Sequence, residues 1–330
     1  MVAGNISSEK IDLLIYGPSK PIVDNGFSDQ FVLHPFETIA DLERLTSAVA
    51  EKIRGAAVTY NSVRGDSTTL ARFPKLEIVS AFGVGYDHVD ANYAREHNIV
   101  VTNTPDVLTE EVADIALGLL IATLREFVKA DRYLRSGLWM TQNFPLSVGS
   151  LRDRKVGMVG MGRIGQAIAR RLDASRVPVV YHSRNPADGV SYKHYPDLIE
   201  MAKAVDTLVV IIPGGPATAK MINADVMKAL GPRGVIINVA RGSVLDEPAL
   251  IAALKSGTIL AAGLDVFANE PAVPDELRTM QNVVLLPHIG SASVVTRNAM
   301  DQLVVDNLKA WFAGKPPLTP VAETPVKSRR

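Results

Sequence analysis

Cysteine is absent from all 330 residues, which excludes disulfides, thiolate metal ligands and cysteine nucleophiles together and fits a reducing compartment. Net charge is absent as well. The 35 Lys and Arg balance 35 Asp and Glu, so no basic stripe argues for nucleic acid and no polybasic segment for an anionic membrane. The terminal Lys327-Ser328-Arg329-Arg330 reads as a frayed tail. Long hydrophobic runs are also missing. A membrane span needs about 20 apolar residues, and the best candidate, Ile115 to Leu124, is bracketed by Asp114 and Arg125. The polar stretch Met1 to Lys10 carries no signal-peptide core. His, Asp and Glu nowhere cluster at metal-ligand spacing, so no metal is expected. These absences together point to a soluble, cytoplasmic protein with neither a nucleic-acid nor a membrane partner.

Apolar residues, by contrast, make up 47% of the chain, enough for sizeable cores in the two domains that this length suggests. Short apolar runs alternate with helical patterns. Ile11 to Tyr16, Gly55 to Thr59, Leu76 to Ser80 and Ile99 to Asn103 read as strands, and Ile39 to Ile53 as a helix. Later runs at Leu208 to Ile212, Gly234 to Val239, Ala261 to Val266 and Val283 to Leu286 suit central parallel strands. Alternation of this kind predicts doubly wound α/β sheets. Asp106 to Ser136 reads as one long helix with Thr109 as its N-cap and Glu110 and Glu111 in its first turn. Its middle, Val112 to Leu124, is apolar on nearly every face. A helix like that is buried all round, between domains or between subunits, and a homodimer is expected. The last helix spans Ser293 to Phe312, followed by an extended tail with Pro316, Pro317, Pro320 and Pro325.

The strongest local signal is Lys155 to Gly165, in which an apolar run enters Gly160-Met161-Gly162-Arg163-Ile164-Gly165 and a helical pattern follows. This is a G-x-G-x-x-G dinucleotide fingerprint in strand–turn–helix context. Gly160 permits the tight turn, Gly162 lets backbone approach a pyrophosphate, and Gly165 lets helix and strand pack closely. The helix N-terminus then offers N–H groups to the phosphates. The next strand, Val177 to His182, contains an unexpected Pro178, which suggests an edge or a broken ladder. It ends in Ser183-Arg184-Asn185, where an NAD site usually places an acid for the ribose 2′-OH. Ser183 can donate to a 2′-phosphate and Arg184 can pair with it, so NADPH is expected over NADH. Since the fingerprint lies mid-chain, its domain is expected to be inserted into the first one.

Three later strand ends carry polar groups: Asn238-Val239-Ala240-Arg241-Gly242, Asp265 to Pro271, and Pro287-His288-Ile289-Gly290-Ser291. Ligands of doubly wound folds bind outside the carboxyl ends of strands, so Arg, Glu and His can converge there. Hydride transfer to a 2-oxo acid needs this set. Arg241 can hold a carboxylate in a bidentate pair. His288 can supply the proton that the carbonyl oxygen takes up, and Glu270 can support the imidazolium. The other histidines, His88 and His182 among them, read as structural.

These motifs, with the fingerprint, resemble the D-isomer-specific 2-hydroxyacid dehydrogenase family over about residues 50–312. The resemblance implies a Rossmann cofactor domain, residues 104–289, inserted into a flavodoxin-like substrate domain of residues 1–103 and 290–330. It implies that Arg241 binds substrate, that Glu270 orients and tunes the acid/base His288, and that Asp265 lies near the nicotinamide carboxamide. Ala81 to Asp87 matches the loop whose amides, here Val84 and Gly85, hold the substrate carboxylate, and Ser291 joins Arg241 as a substrate contact. Thr109, Arg163, Ile164, Pro213, Val239, Ala240, His288 and Gly290 fall at cofactor-contacting positions beside Gly160, Gly162, Gly165, Ser183 and Arg184. Pro213-Gly214-Gly215-Pro216 departs from the more usual Pro-Leu-Thr turn and could alter how phosphates are held. Glu270 stands where formate dehydrogenases place Gln.

Within the family the chain is most similar to NADPH-using glyoxylate/hydroxypyruvate reductases, which implies reduction of small 2-oxo acids to D-2-hydroxy acids. Trp139-Met140 is a candidate wall for the substrate pocket, of this chain or of a partner subunit, with interface packing as the alternative; a bulky wall would favour phenylpyruvate-like acids, and sugar-derived oxo acids are a further alternative. Dinucleotide-sensing corepressors share the family's motifs and form a reading of another class.

Overall fold

The computed structural model describes residues 10–59 and 64–326. The polar stretch 1–9 and the terminal Lys327-Ser328-Arg329-Arg330 lie outside them. The chain divides into two compact units, one made of residues up to Leu108 and from Ser293 onward, the other of Thr109–Ala292.

The first unit holds β1 (Ile11–Tyr16), β2 (Phe31–Phe36), β3 (Ile53–Val58), β4 (Ile78–Ala81) and β5 (Val100–Thr102), all parallel in the order β2-β1-β3-β4-β5. That is the flavodoxin-like order. β4 is buried along its whole length, as a central strand covered on both faces must be, and β5, at the edge of the sheet, is buried as well because the C-terminal segment runs beside it. The helix Val294–Phe312 packs on β3 and β4, and its N-cap Ser293 accepts the Thr296 N–H. The tail beyond it runs antiparallel to β5: Pro320 bridges Thr102 and Val321 N donates to Val101 O at 2.9 Å.

In the second unit, seven parallel strands lie in the order β12-β11-β10-β9-β6-β7-β8. They are β6 (Val156–Val159), β7 (Val179–His182), β8 (Lys193–Tyr195), β9 (Thr207–Val210), β10 (Val235–Asn238), β11 (Ala261–Leu264) and β12 (Val283–Leu285). Reading from β8, the order is that of a dinucleotide-binding sheet, with the reversal between β6 and β9. β6, β9, β10 and β11 are wholly buried.

Several local expectations need correction. The helix expected over Ile39 to Ile53 is two short helices, Ile39–Glu43 and Ser47–Ala50, because Thr38 and Asp41 form a capping box that starts the first and Thr46 restarts the chain. The long helix expected over Asp106 to Ser136 is two helices, Thr109–Leu124 and Phe127–Arg135. Glu126 breaks it with a φ of 53°, a left-handed conformation that no helix interior tolerates. Thr109 is the first helical residue rather than the cap. The helix Thr109–Leu124 is not buried all round either. Ala113, Ala116, Leu120 and Leu124 are buried, whereas Asp114 and Gly118 are exposed and Ile115, Leu117 and Ile121 are half-buried. β7 begins after Pro178, whose carbonyl accepts Val156 N–H at 2.9 Å. The ladder is therefore not broken, and the edge belongs to β8.

Two close approaches fix the helix Thr109–Leu124. A Cβ on Gly263 would meet Thr123 Oγ1 at 2.6 Å and Leu119 Cγ at 2.8 Å, so glycine lets the helix rest on β11. Arg171 of the fingerprint helix pairs with Asp114 and Glu110, each at 2.7 Å. No helix among the described residues is long and apolar enough to cross a membrane.

Candidate active site

After β6 the three fingerprint glycines meet three different demands. Gly160 has a φ of 106°, and a Cβ there would meet Ile211 O at 2.4 Å. At Gly165 a Cβ would meet Gly160 O at 2.5 Å, so the helix sits directly on the turn. Gly162 faces open space and is the N-cap of Arg163–Ala174. The helix ladder begins with Gln166 N donating to Gly162 O, so the N–H groups of Arg163, Ile164 and Gly165 come before it. A strand end, a Cβ-free approach and a helix N-terminus of this kind fit a dinucleotide pyrophosphate.

At the end of β7, Ser183 Oγ donates to Asn185 O at 2.5 Å and Arg184 is exposed. His194 Nε2 donates to Ser183 O and His182 Nδ1 to Tyr195 O, both at 2.9 Å. These two histidines hold the loop beside β8, and no carboxylate occurs from 183 to 187. After β9, Thr218 Oγ1 donates to Pro213 O at 2.7 Å, and Gly215 has a φ of 130°. The Pro213-Gly214-Gly215 turn is thus closed by the Thr218 hydroxyl.

The ends of β10, β11 and β12 bring together Arg241, Asp265, Glu270 and His288. Asn238, fully buried, accepts Ala240 N–H at 3.0 Å and donates to Arg241 O at 3.1 Å, which sets the backbone on either side of Arg241. Val239 and Ala240 are buried. Arg241 is half-buried, and its Nη1 donates to Ala240 O. Gly242 then lies against the next loop so tightly that a Cβ would be 1.8 Å from the Phe267 carbonyl carbon.

Glu270 bridges its loop and the histidine. Its Oε1 accepts the Phe267 N–H at 3.0 Å, and its Oε2 lies 2.7 Å from His288 Nδ1. Burial works to raise the Glu270 carboxyl. The His288 ring, the Phe267 N–H and the Arg241 guanidinium outweigh it and hold the pKa below the ordinary glutamate value. His288 has a φ of 55°, and its turn is tied to Asp265. The Asp265 carbonyl accepts His288 N–H at 2.9 Å, while the carboxylate accepts Ile289 N–H at 2.7 Å and Gly290 N–H at 2.8 Å. Burial pushes the Asp265 carboxyl up despite these two donors. Ser291, half-buried, follows directly. With Nδ1 occupied by Glu270, Nε2 is the ring nitrogen left for another partner.

In the first unit, the loop Phe82-Gly83-Val84-Gly85 follows β4. Gly83 has a φ of 125°, its N–H donates to Thr104 Oγ1 at 2.9 Å, and its carbonyl accepts Thr104 N–H at 2.9 Å. Asn103 Nδ2 donates to Val84 O at 2.8 Å. Among the described residues, neither the Val84 nor the Gly85 N–H has a protein acceptor.

Some functional neighbours are not evident from sequence. Glu247 reads as an ordinary first-turn helix acid, yet it is buried and its Oε1 accepts Ala268 N–H at 2.7 Å, anchoring the loop that carries Glu270. The only hint is its place one residue after the N-cap Asp246. Trp139 and Met140 are exposed, at 62% and 87%. Among the described residues no group of His, Asp and Glu is placed to hold a metal ion.

A family model described as the NAD binding domain of D-isomer specific 2-hydroxyacid dehydrogenases matches residues 117–290. Glyoxylate/hydroxypyruvate reductase A of Arabidopsis thaliana is 45% identical over 313 residues, covering 95% of this chain and 99% of that protein. Hydroxyphenylpyruvate reductase of Plectranthus scutellarioides is also 45% identical, over 314 residues, with the same coverage. The crystal structure of NADPH-dependent glyoxylate/hydroxypyruvate reductase from Sinorhizobium meliloti, in complex with NADP and malonate, is similar with a TM-score of 0.92 and 53% identity, covering 97% of this chain and 99% of that one.

Proposed function

The chain belongs to the D-isomer-specific 2-hydroxyacid dehydrogenase family and is an NAD(P)-dependent oxidoreductase, and from that premise we propose that it reduces glyoxylate and hydroxypyruvate to D-2-hydroxy acids with NADPH. The observation that carries the reading is the 2.7 Å contact between Glu270 and His288, on strand ends that follow the glycine turn of a dinucleotide site. Bound at that turn, NADPH supplies a hydride to C2 of the oxo acid. Every other part is supplied by the chain.

In this reading Val84 and Gly85 hold the substrate carboxylate with their N–H groups, and Arg241 and Ser291 are further substrate contacts. Negative charge grows on the carbonyl oxygen during reduction, and His288 Nε2 delivers a proton to it. Glu270 keeps the ring oriented and favours its charged form before transfer. Thr109, Gly160, Gly162, Arg163, Ile164, Gly165, Pro213, Val239, Ala240, Asp265, His288 and Gly290 form the cofactor side. Arg184 selects the 2′-phosphate, together with Ser183 once its hydroxyl exchanges Asn185 O for the phosphate, a reading supported by the exposed guanidinium and by the absence of a carboxylate from 183 to 187. Residues 104–289 act as the cofactor domain and the remainder as the substrate domain.

Aryl pyruvates are a second substrate class, favoured by the 45% identity to a hydroxyphenylpyruvate reductase. The enzyme works as a cytoplasmic homodimer in this reading. Cysteine-free composition supports the compartment. The dimer is supported by the half-open face of Thr109–Leu124 and the exposed Phe127, Leu134, Trp139 and Leu146 beyond it. The test is NADPH oxidation with glyoxylate, hydroxypyruvate and phenylpyruvate, repeated with NADH. Turnover of the two small acids, faster with NADPH, is expected. Turnover with NADH alone would overturn the cofactor assignment, and phenylpyruvate alone the substrate.

A further inference from the structure

The Val84 and Gly85 N–H groups sit in two consecutive peptide planes. In a trans peptide the C=O and N–H point in opposite directions within one rigid plane. The Gly83 carbonyl therefore sets where the Val84 N–H points, and the Val84 carbonyl sets the Gly85 N–H. Both carbonyls are held from behind by one dipeptide at the end of β5: Thr104 N donates to Gly83 O at 2.9 Å and Asn103 Nδ2 donates to Val84 O at 2.8 Å. Thr104 Oγ1 also takes the Gly83 N–H, so that donor is turned away from the pair.

We propose that Asn103 is a positioning residue for the substrate carboxylate, acting through the Val84–Gly85 peptide plane that its side chain fixes. This rests on the reading that Val84 and Gly85 hold that carboxylate. A hydrogen bond to a peptide carbonyl also polarises the N–H on the far side of the plane, so Asn103 strengthens the donor as well as aiming it.

Asn103 is in turn locked by the C-terminal segment. Its N–H donates to Thr319 O at 3.2 Å, and its carbonyl accepts Thr319 Oγ1 at 2.6 Å. Thr319 is held by the fully buried Asn307, whose Oδ1 accepts Thr319 N–H at 3.0 Å and whose Nδ2 donates to Thr319 Oγ1 at 2.9 Å. A continuous hydrogen-bonded chain thus runs from Asn307 through Thr319 and Asn103 to Val84. A tail segment far from the loop in sequence sets the geometry of a substrate-binding amide.

The test compares the full-length wild type with Asn103→Ala and Thr319→Val. Initial rates are measured with glyoxylate and NADPH, along with equilibrium binding of oxamate to the enzyme–NADP complex. Losing one positioning hydrogen bond should raise the glyoxylate KM and the oxamate Kd of Asn103→Ala on the order of threefold to tenfold. The NADPH KM should stay within about twofold. Thr319→Val, which keeps the Asn103 side chain, should move both constants the same way by less, and it carries the test if Asn103→Ala does not fold. A merely structural role would lower the active fraction without this split between the two substrates. Unchanged glyoxylate KM and oxamate Kd in a folded variant, or an equal rise in the NADPH KM, would overturn the proposal while leaving the reductase reading intact. A wild type that neither turns over glyoxylate nor binds oxamate would overturn that reading itself, and this inference with it.

Discussion

Glu270 Oε2 stands 2.7 Å from His288 Nδ1 while Oε1 of the same carboxylate takes the Phe267 N–H. One side chain thereby fixes both its own loop and the imidazole, and leaves Nε2 as the nitrogen that can reach a substrate. Replacing His288 with Ala should lower kcat on the order of 10²- to 10⁴-fold, the usual worth of a positioned proton donor. Undiminished turnover in a steady-state assay would remove His288 from the reaction.

Glu270→Gln removes the charge that favours imidazolium but keeps an acceptor. The alkaline limb of kcat/KM for reduction should therefore move to lower pH. Stability gives an independent readout. The Glu270 carboxyl is held below its ordinary 4.5, so its contribution is complete above that value and is lost as pH falls through the lowered one. The gap in Tm between wild type and variant should be widest at neutral pH and should close in acid. A gap that widens in acid would contradict the assignment.

Arg184→Ala should weaken NADPH and spare NADH. One charge-assisted contact to a 2′-phosphate contributes roughly 1.5–3 kcal/mol, so the KM for NADPH should rise by about ten- to a hundredfold. Equal effects on both cofactors would mean that the guanidinium does not read the phosphate.

Gly242→Ala tests the contact between the Arg241 loop and the Glu270 loop. The added Cβ would overlap the Phe267 carbonyl carbon at 1.8 Å, and backbone cannot yield as a flexible side chain does. Overpacking of this kind costs about 1–3 kcal/mol or more. Denaturant unfolding should show that loss, and kcat should fall with it because Phe267 N–H orients Glu270. A variant with native stability and rate would show that the loops are not coupled.

For the proposed dimer, Phe127→Glu combined with Leu134→Glu places charges on two residues that are 54% and 55% exposed. The mass from light scattering at micromolar protein should fall to that of a monomer, with the fold retained by circular dichroism. An unaltered dimer mass would move the interface elsewhere.

What was legible in the sequence is what depends on local sterics. Gly160 and Gly165 each found the separate demand that the fingerprint implied, because a tight turn and a helix seat are properties of a few neighbouring atoms. The apolar runs at Leu208, Val235 and Ala261 became buried parallel strands for the same reason. The break at Glu126 was not legible, since Phe127 and Val128 continue the apolar pattern across it and nothing in Glu predicts a φ of 53°. Thr109 was misplaced by one position, because Thr suits the cap and the first turn alike. Glu247 and Asn103 were hidden for a different reason. Their partners, Ala268 N–H and Val84 O, are backbone atoms distant in sequence, and no side-chain pattern announces which carbonyl a strand end will meet.

The five-stranded unit is interrupted: it runs to Leu108 and resumes at Ser293. On the ribosome this sets an order of completion. Once residue 292 has emerged, every residue of the seven-stranded unit is available. The other sheet at that moment still lacks the Val294–Phe312 helix that packs on β3 and β4, and the Pro320 segment that pairs with β5. Synthesis of Thr319, rather than of the fingerprint, is what makes the Asn103–Thr319 lock possible, so a chain stopped between the two units would hold every residue of the glycine turn and none of the partners that lock Asn103.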